Sequence, residues 1–242
     1  MKRYFHPKPE AGVLDEAESH HCAQVMRQKE GDFLTVFDGR GLEVKARIAE
    51  IAKQTVRYEP VTQNRVPPPA HRLVLAQALA KHKAMDLIIQ KATELGVSAI
   101  APLASDRCVS QLDDDQAEGR IGKWRAIAIE AAKQSGQNWL PEFAPVRRVK
   151  PFLAELKPQP VKLIASLQPE AQPLKATLRD ALAEKGRDTE VVLMIGPEGD
   201  FTPAEIGEAR ATGFLPVSLG EIVLRSETAA IFTLSSIIYE LS

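Results

Sequence analysis

The chain has 242 residues, of which 31 are Lys or Arg and 32 are Asp or Glu, and its formal net charge is −1. This length allows one large domain or two modest ones. The balanced charge excludes a protein that holds nucleic acid mainly by its overall charge. No stretch approaches the roughly 20 apolar residues of a membrane helix, and no signal peptide is apparent. Two cysteines without paired spacing favour a reducing compartment, so we expect a cytoplasmic protein.

Short β-strands dominate the first 65 residues. Phe33–Phe37 and Leu42–Ile48 flank a glycine-rich turn at residues 38–41, which predicts a hairpin. Thr55–Glu59 alternates in the same way, and a short helix is expected over Glu16–Arg27. Short strands with one small helix are typical of a compact barrel.

A proline-rich segment, Val66–Pro69, divides the chain. It cannot continue a helix or a central strand and behaves as a stiff spacer. The sequence therefore predicts two domains, over residues 1–68 and 69–242.

After this spacer, apolar strands alternate with helices. The expected strands are Arg72–Leu79, Val97–Leu103, Val161–Leu167, Glu190–Ile195 and Phe214–Leu219. The expected helices include Lys83–Leu95 and Gln116–Gln134. This alternation predicts an α/β domain with a mostly parallel sheet covered by helices.

A first motif lies at residues 196–199, where a buried strand runs into a glycine loop and then a helix. Thr202, Pro203 and Glu205 predict a capping box at the start of that helix, and Gly213 its end. Open α/β sheets bind ligands at such loops. The loop matches neither the dinucleotide fingerprint nor the P-loop. From the residues alone, a tight turn without a ligand is the simpler interpretation.

A second motif follows Gly220, where an apolar loop leads into the last helix. We expect Ser226 to cap this helix. Its buried face should comprise Ala230, Ile231, Leu234, Ile237, Ile238 and Leu241. Arg225 is poorly placed for the helix dipole. This position indicates either a partner elsewhere or a simple surface salt bridge.

Together, in this order, the two motifs resemble those of the SPOUT methyltransferases, and specifically the bacterial 16S ribosomal RNA uridine-N3 methyltransferase family. That family has Gly-Pro-Glu-Gly-Gly, then a Leu-Gly pair followed by Leu-Arg-Thr-Glu-Thr-Ala. The corresponding segments here are residues 196–200 and 219–229. Further similar segments are residues 90–97, 129–136 and 21–32.

Three departures from the family pattern stand out. Asp200 replaces the second glycine of the Gly-Gly pair, so the loop should be less permissive at one φ angle. Ser226 replaces threonine and keeps the hydroxyl. Gln137 stands where the family has arginine, which weakens a phosphate-binding role at that position.

The resemblance implies a catalytic domain with a C-terminal trefoil knot, preceded by a PUA-like β-barrel that binds RNA. It also implies S-adenosylmethionine as cofactor, held by loops at the knot. The implied cofactor-binding residues are Leu167, Ile195, Gly196, Pro197, Glu198, Gly199, Leu219, Gly220, Ile222, Leu224 and Ala229. Arg3, Arg27 and Arg125 are the candidate RNA-binding residues.

The implied reaction is methylation of N3 of a uridine in 16S ribosomal RNA of the small subunit. Arg225 is expected to stabilise negative charge on the uracil, and Glu198 and Glu227 to orient the substrate or act as bases. Helix-end electrostatics would explain both glutamates equally well. One alternative is a SPOUT enzyme acting on another RNA or atom. Another is a non-catalytic RNA-binding assembly factor.

The expected partners are ribosomal RNA and a second copy of the chain. The last helix is apolar over more than one face, and a second apolar face needs a second partner. Burial of this helix within its own domain is the simpler alternative. No membrane is expected. No metal is expected either, because His20, His21 and Cys22 lack a second ligand pair.

Overall fold

A computed structural model describes residues 1–52, 55–108, 114–158 and 160–242. The chain divides into two compact units. The N-terminal unit comprises residues 1–68 and 129–140, and the C-terminal unit comprises residues 69–128 and 141–242. Nothing in the sequence pattern indicates the second segment of the N-terminal unit. The predicted domains over residues 1–68 and 69–242 stay a prediction.

The N-terminal unit contains one four-stranded sheet, in the order β1-β2-β3-β4. Its strands are β1 (Lys2–Phe5), β2 (Phe33–Phe37), β3 (Leu42–Ala52) and β4 (Thr55–Arg65). The predicted β2–β3 hairpin is confirmed, and the Asp38 side chain accepts hydrogen bonds from the Arg40 and Leu42 backbone N–H groups in its turn. The core includes Tyr4, Leu34, Val44, Ile48 and Tyr58.

The predicted helix over Glu16–Arg27 is shorter than expected. The α-helix α1 covers Glu16–His20, with the Asp15 side chain as its N-cap. A π-helical turn, His21–Val25, follows. Arg27 then has a φ of 52°, and this left-handed conformation ends the helical segment.

The C-terminal unit is built on an eight-stranded sheet. Its strands are β5 (Leu73–Ala78), β6 (Ala99–Ala104), β7 (Glu142–Phe143), β8 (Arg147–Arg148), β9 (Val161–Ala165), β10 (Gln172–Pro173), β11 (Val191–Ile195) and β12 (Leu215–Ser218). The helices of the rest of the chain are α2 (His82–Glu94), α3 (Asp114–Ser135), α4 (Val149–Glu155), α5 (Leu174–Lys185), α6 (Pro203–Ala211) and α7 (Ser226–Leu241).

The main path of this sheet has the order β10-β12-β9-β11-β5-β6-β7, and β8 also pairs with β6. All these pairs are parallel, which confirms the predicted parallel α/β sheet. Buried side chains of β5, β6, β9 and β11 pack with those of α4 and α6. The sheet order places the carboxyl ends of β12, β9 and β11 next to one another.

The two C-terminal helices begin differently. The predicted capping box of α6 is confirmed, because Thr202 accepts from the Glu205 backbone N–H and Glu205 accepts from that of Thr202. The prediction that Ser226 caps α7 is wrong. Arg225 occupies the N-cap position without a side-chain bond, whereas the Ser226 hydroxyl donates to the Gly196 carbonyl instead.

Candidate active site

The strands β9, β11 and β12 lead into three loops of the C-terminal unit. They are loop 1 (residues 166–171), loop 2 (residues 196–202) and loop 3 (residues 219–225). Together they line a cavity of about 400 Å³. Small-molecule pockets span roughly 300–1,000 Å³, and ligands of open parallel sheets bind at this end of the strands. The cavity is therefore the candidate cofactor pocket.

Most of the predicted cofactor-binding residues line this cavity. They are Leu167, Ile195, Gly196, Pro197, Glu198, Leu219, Gly220, Ile222, Leu224 and Ala229. Gly199 is not among the lining residues, and its carbonyl accepts a hydrogen bond from Arg107 Nη1 at 2.7 Å. Ile222 is 79% exposed and Leu167 is 61% exposed, so apolar side chains stand open to solvent at the cavity. Exposed apolar groups beside a cavity are typical of a binding site.

Glycine is required at two positions of the pocket, Gly196 and Gly220, for different structural reasons. Gly220 has a φ of +127°, a conformation that L side chains rarely adopt. A Cβ on Gly196 would lie 3.2 Å from Asp200 Oδ1 and from the Phe201 nitrogen. Gly196 therefore allows the close approach of Asp200, and Gly220 allows the bend of loop 3.

Loops 1 and 2 are joined through one carboxylate. Asp200 Oδ2 accepts a hydrogen bond from the Leu167 backbone N–H at 3.0 Å. Its Oδ1 accepts from the Phe201 backbone N–H at 2.7 Å. Asp200 itself has a φ of 60°, so the permissive conformation expected of the family glycine is kept by an aspartate.

Loop 2 is joined to the start of α7 through a hydroxyl. Ser226 Oγ donates to the Gly196 carbonyl at 2.7 Å and accepts from Gln77 Nε2 at 3.0 Å. Gln77 is fully buried at the end of β5, and its Oε1 has no hydrogen-bond partner within the described part of the chain. A fixed network thus sets the position of Arg225, which directly precedes Ser226.

Of the three predicted catalytic residues, only Glu198 lines the cavity. Arg225 is exposed and Glu227 is half-buried. The structure, over the residues it describes, gives none of these side chains a hydrogen bond or an ion pair. Among the described residues, Arg225 therefore has no salt-bridge partner, so a surface salt bridge does not explain its position.

The predicted RNA-binding arginines differ in their surroundings. Arg3 donates to Glu43 Oε2 at 2.7 Å, and its guanidinium lies 4.8 Å from the Phe37 ring centroid. These contacts occupy the guanidinium within the N-terminal unit, so Arg3 is poorly placed to bind RNA. Arg27 and Arg125 are both exposed.

Three further observations bear on ligands. Trp124 is buried, so it is not available to stack on RNA. Among the described residues, no group of three or more His, Cys, Asp or Glu side chains could hold a metal ion. Likewise, no described helix is both long and apolar enough to cross a bilayer.

Comparison with known families matches both parts of the chain. Residues 67–238 match an RNA methyltransferase domain, and residues 14–60 match an RNA methyltransferase PUA domain. The N-terminal unit is thus PUA-like, and the α/β unit has the fold of the SPOUT methyltransferases.

Individual relatives agree with these families. The ribosomal RNA small subunit methyltransferase E of Bacillus subtilis is 30% identical over 99% of this chain and 97% of its own. The enzyme of the same name from Synechocystis is 34% identical over 93% and 72%. The Neisseria gonorrhoeae protein of that name, solved with S-adenosylmethionine, has a TM-score of 0.86 at 28% identity over 99% of this chain and 98% of its own.

These matches define the class of this protein: it is an RNA-modifying methyltransferase with a SPOUT fold. The chain belongs to the RNA methyltransferase family, and its relatives there include ribosomal RNA small subunit methyltransferases E.

Proposed function

We propose that this enzyme transfers a methyl group from S-adenosylmethionine to N3 of a uridine in 16S ribosomal RNA of the small subunit. One observation carries the proposal. Three loops at the carboxyl ends of adjacent parallel strands enclose a pocket beside an exposed, unpaired arginine, within the described chain. The names of the relatives support the substrate. A ribosomal RNA substrate also supports a cytoplasmic location.

The residues of the pocket fit the cofactor. An added Cβ on Gly220 would meet no described atom within 4 Å, so the backbone there is open to a ligand. Leu167, Ile222 and Leu224 offer apolar walls. When bound, S-adenosylmethionine supplies an electrophilic methyl group on a sulfonium centre. The pocket residues bind and orient it. A knotted path of the chain through these loops is part of the same proposal.

Arg225 is proposed as the catalytic cation. The uracil N3–H is a weak acid with a pKa of roughly 10, comparable to a phenol, so its loss leaves negative charge on the ring. A guanidinium beside the carbonyl oxygens stabilises that charge. Glu198, which lines the pocket, orients the base or accepts its proton, and Glu227 has the same role from the first turn of α7.

Arg225→Ala tests this assignment. The variant should bind S-adenosylmethionine as tightly as the parent, because Arg225 does not line the pocket. Its turnover should fall by about 10²–10³-fold, the usual effect of losing one preorganised charge-stabilising group. Methyl incorporation into small-subunit RNA from a strain that lacks the modification measures turnover, and calorimetry measures cofactor binding.

Arg210→Ala is the matched control, because Arg210 is an exposed arginine at the end of α6. It should retain full activity. Wild-type turnover by Arg225→Ala would refute the catalytic role. Failure of the wild-type protein to bind S-adenosylmethionine would favour the assembly factor, and a methyl group on another base or atom would favour the alternative SPOUT enzyme.

RNA is proposed to contact Arg27 on the PUA-like domain of residues 1–68 and Arg125 on α3. Both are exposed, and neither side chain has a hydrogen bond or ion pair within the described chain. Such arginines bind phosphates without sequence preference. Neither a metal nor a membrane is required for this function.

The enzyme is proposed to act as a homodimer through α5 and α7. A surface groove of about 770 Å³ lies between these helices. Phe232 is 46% exposed and Tyr239 is 80% exposed on its α7 side. Large exposed aromatic side chains beside a groove are typical of an interface.

Light scattering at micromolar concentration should give twice the chain mass. Tyr239→Glu should give a monomer, because it places a charge in the interface. Tyr239→Phe, which keeps the ring, should remain dimeric. A monomeric wild-type protein with full activity would contradict the dimer.

A further inference from the structure

Asp200 has a backbone conformation that its residue type rarely adopts. Its φ is 60°, and Arg27 is the other non-glycine residue with a positive φ in the described chain. Aspartate tolerates this region better than most residues but still less well than glycine. The family pattern that the sequence resembles has glycine at this position, and an aspartate leaves the backbone of loop 2 less conformational freedom than glycine would.

The side chain of Asp200 makes two contacts that glycine cannot make. The bond from Phe201 N–H to Oδ1, 2.7 Å, is local and belongs to the turn. The bond from Leu167 N–H to Oδ2, 3.0 Å, crosses to loop 1, which lies 33 residues earlier in the chain. An ionised acceptor makes such bonds shorter and stronger than a neutral one.

Both loops joined by this carboxylate belong to the pocket. Asp200 and Leu167 line the cavity themselves. Leu167 is largely exposed, so packing does little to hold its side chain. The backbone bond to Asp200 is therefore the described contact that fixes loop 1 at this point against loop 2.

We propose that Asp200 is a positioning residue for the cofactor: it holds loop 1 against loop 2 before the ligand binds and so raises the affinity for S-adenosylmethionine. This proposal rests on the proposed cofactor pocket. A loop that is already ordered loses less entropy when it binds a ligand, and this difference appears directly in the affinity.

Asp200→Gly and Asp200→Asn test the proposal. Glycine suits the φ of 60° and removes both bonds, so the variant should fold. Its dissociation constant for S-adenosylmethionine should rise about tenfold, the scale of ordering one short loop. Asparagine has one acceptor oxygen in place of two and should give an intermediate constant. Calorimetry with S-adenosylmethionine measures all three proteins.

Two further readouts separate positioning from general stability. The KM for S-adenosylmethionine should rise with the dissociation constant, while kcat at saturating cofactor stays within twofold of wild type. In the cofactor-free protein, the amide hydrogen of Leu167 should exchange faster in Asp200→Gly than in wild type. The melting temperature of Asp200→Gly should not fall.

Gly220→Val separates failure of this proposal from failure of the pocket itself. If Gly220→Val loses cofactor binding and Asp200→Gly binds like wild type, the positioning role of Asp200 is refuted and the pocket stands. If both variants bind like wild type, the cofactor site lies elsewhere and both proposals fail. A lowered melting temperature of Asp200→Gly with unchanged affinity would show a purely structural role.

Discussion

In the N-terminal unit, charged side chains close to the core are paired. In the C-terminal unit, by contrast, the side chains of Glu198 at the pocket and of Arg225 beside it have no hydrogen bond or ion pair within the described chain. Lys133 illustrates the first case. Its side chain is 7% exposed and its Nζ lies 2.8 Å from Glu18 Oε1, which is 11% exposed, and 2.8 Å from Glu130 Oε1. Burial alone would lower the pKa of Lys133, but its hydrogen bonds to Glu130 and Glu18 raise it.

Arg3 and Arg225 show the same contrast between two residues of one type. Arg3 bonds to Glu43 and Asn138 and lies over an aromatic ring. Arg225 is exposed at the N-cap of α7. A buried ion is favourable only if its partners replace the water it has lost, whereas an exposed one remains free to meet a substrate. The comparison shows that two residues of one type can have different roles: a charged side chain with partners stabilises the fold, and one without partners is available to a substrate.

The contrast between paired and unpaired charges predicts its largest effect on the free energy of unfolding. Lys133→Met should lower the free energy of unfolding by about 3–5 kcal/mol, because it leaves the Glu18 carboxylate buried without its cation. Urea unfolding followed by circular dichroism measures the change.

Lys123→Met is the matched control on the same helix. Lys123 bonds to Asp86 at 2.6 Å, but their side chains are 55% and 32% exposed. An exposed pair contributes roughly 0–1 kcal/mol, so this variant should be close to wild type. Equal losses in the two variants would remove the distinction between buried and exposed charges on α3.

A smaller effect is expected at the hydroxyl that joins loop 2 to α7. Ser226→Ala removes the bond to the Gly196 carbonyl. It also removes one of the two acceptors of Gln77 Nε2 and leaves the Ala78 carbonyl as the other. Loss of one such buried bond corresponds to about 1 kcal/mol, so the affinity for S-adenosylmethionine should fall about fivefold in calorimetry.

Ser226→Thr keeps the hydroxyl and restores the family residue, so it should bind the cofactor like wild type. If Ser226→Ala binds the cofactor as tightly as wild type, the hydroxyl does not position the cofactor site. That result would weaken the contrast between the two units, because the bonds of Ser226 would no longer explain how the backbone around Arg225 is held.

Sequence patterns predicted the elements that depend on local rules. The β2–β3 hairpin, the capping box of α6 and the parallel sheet all follow from turn residues, helix-start residues and apolar runs. Family resemblance then pointed to the loops of the pocket. Asp200 was visible as a departure from that resemblance, although the partner of its carboxylate was not.

The remaining features depend on residues that are far apart in the chain. Ser226 follows the rules of an N-cap residue, yet its hydroxyl bonds to Gly196. Gln77 lies in an apolar strand and carries no local signal at all. In the sequence, Arg3 looks like a free surface cation, but in the structure it bonds to Glu43 and Asn138. Local propensity contains no information about such tertiary partners.

The bond between Gln77 and Ser226 has a consequence for folding kinetics. It joins residues 149 positions apart in sequence, and β5 pairs with β11 across a similar distance along the chain. Contacts of this kind form slowly, because the entropy of closing a long loop is lost before the contact gains anything. We therefore expect the pocket to be completed among the last steps of folding. Recovery of cofactor binding after dilution from denaturant should then follow the slowest refolding phase of the C-terminal unit.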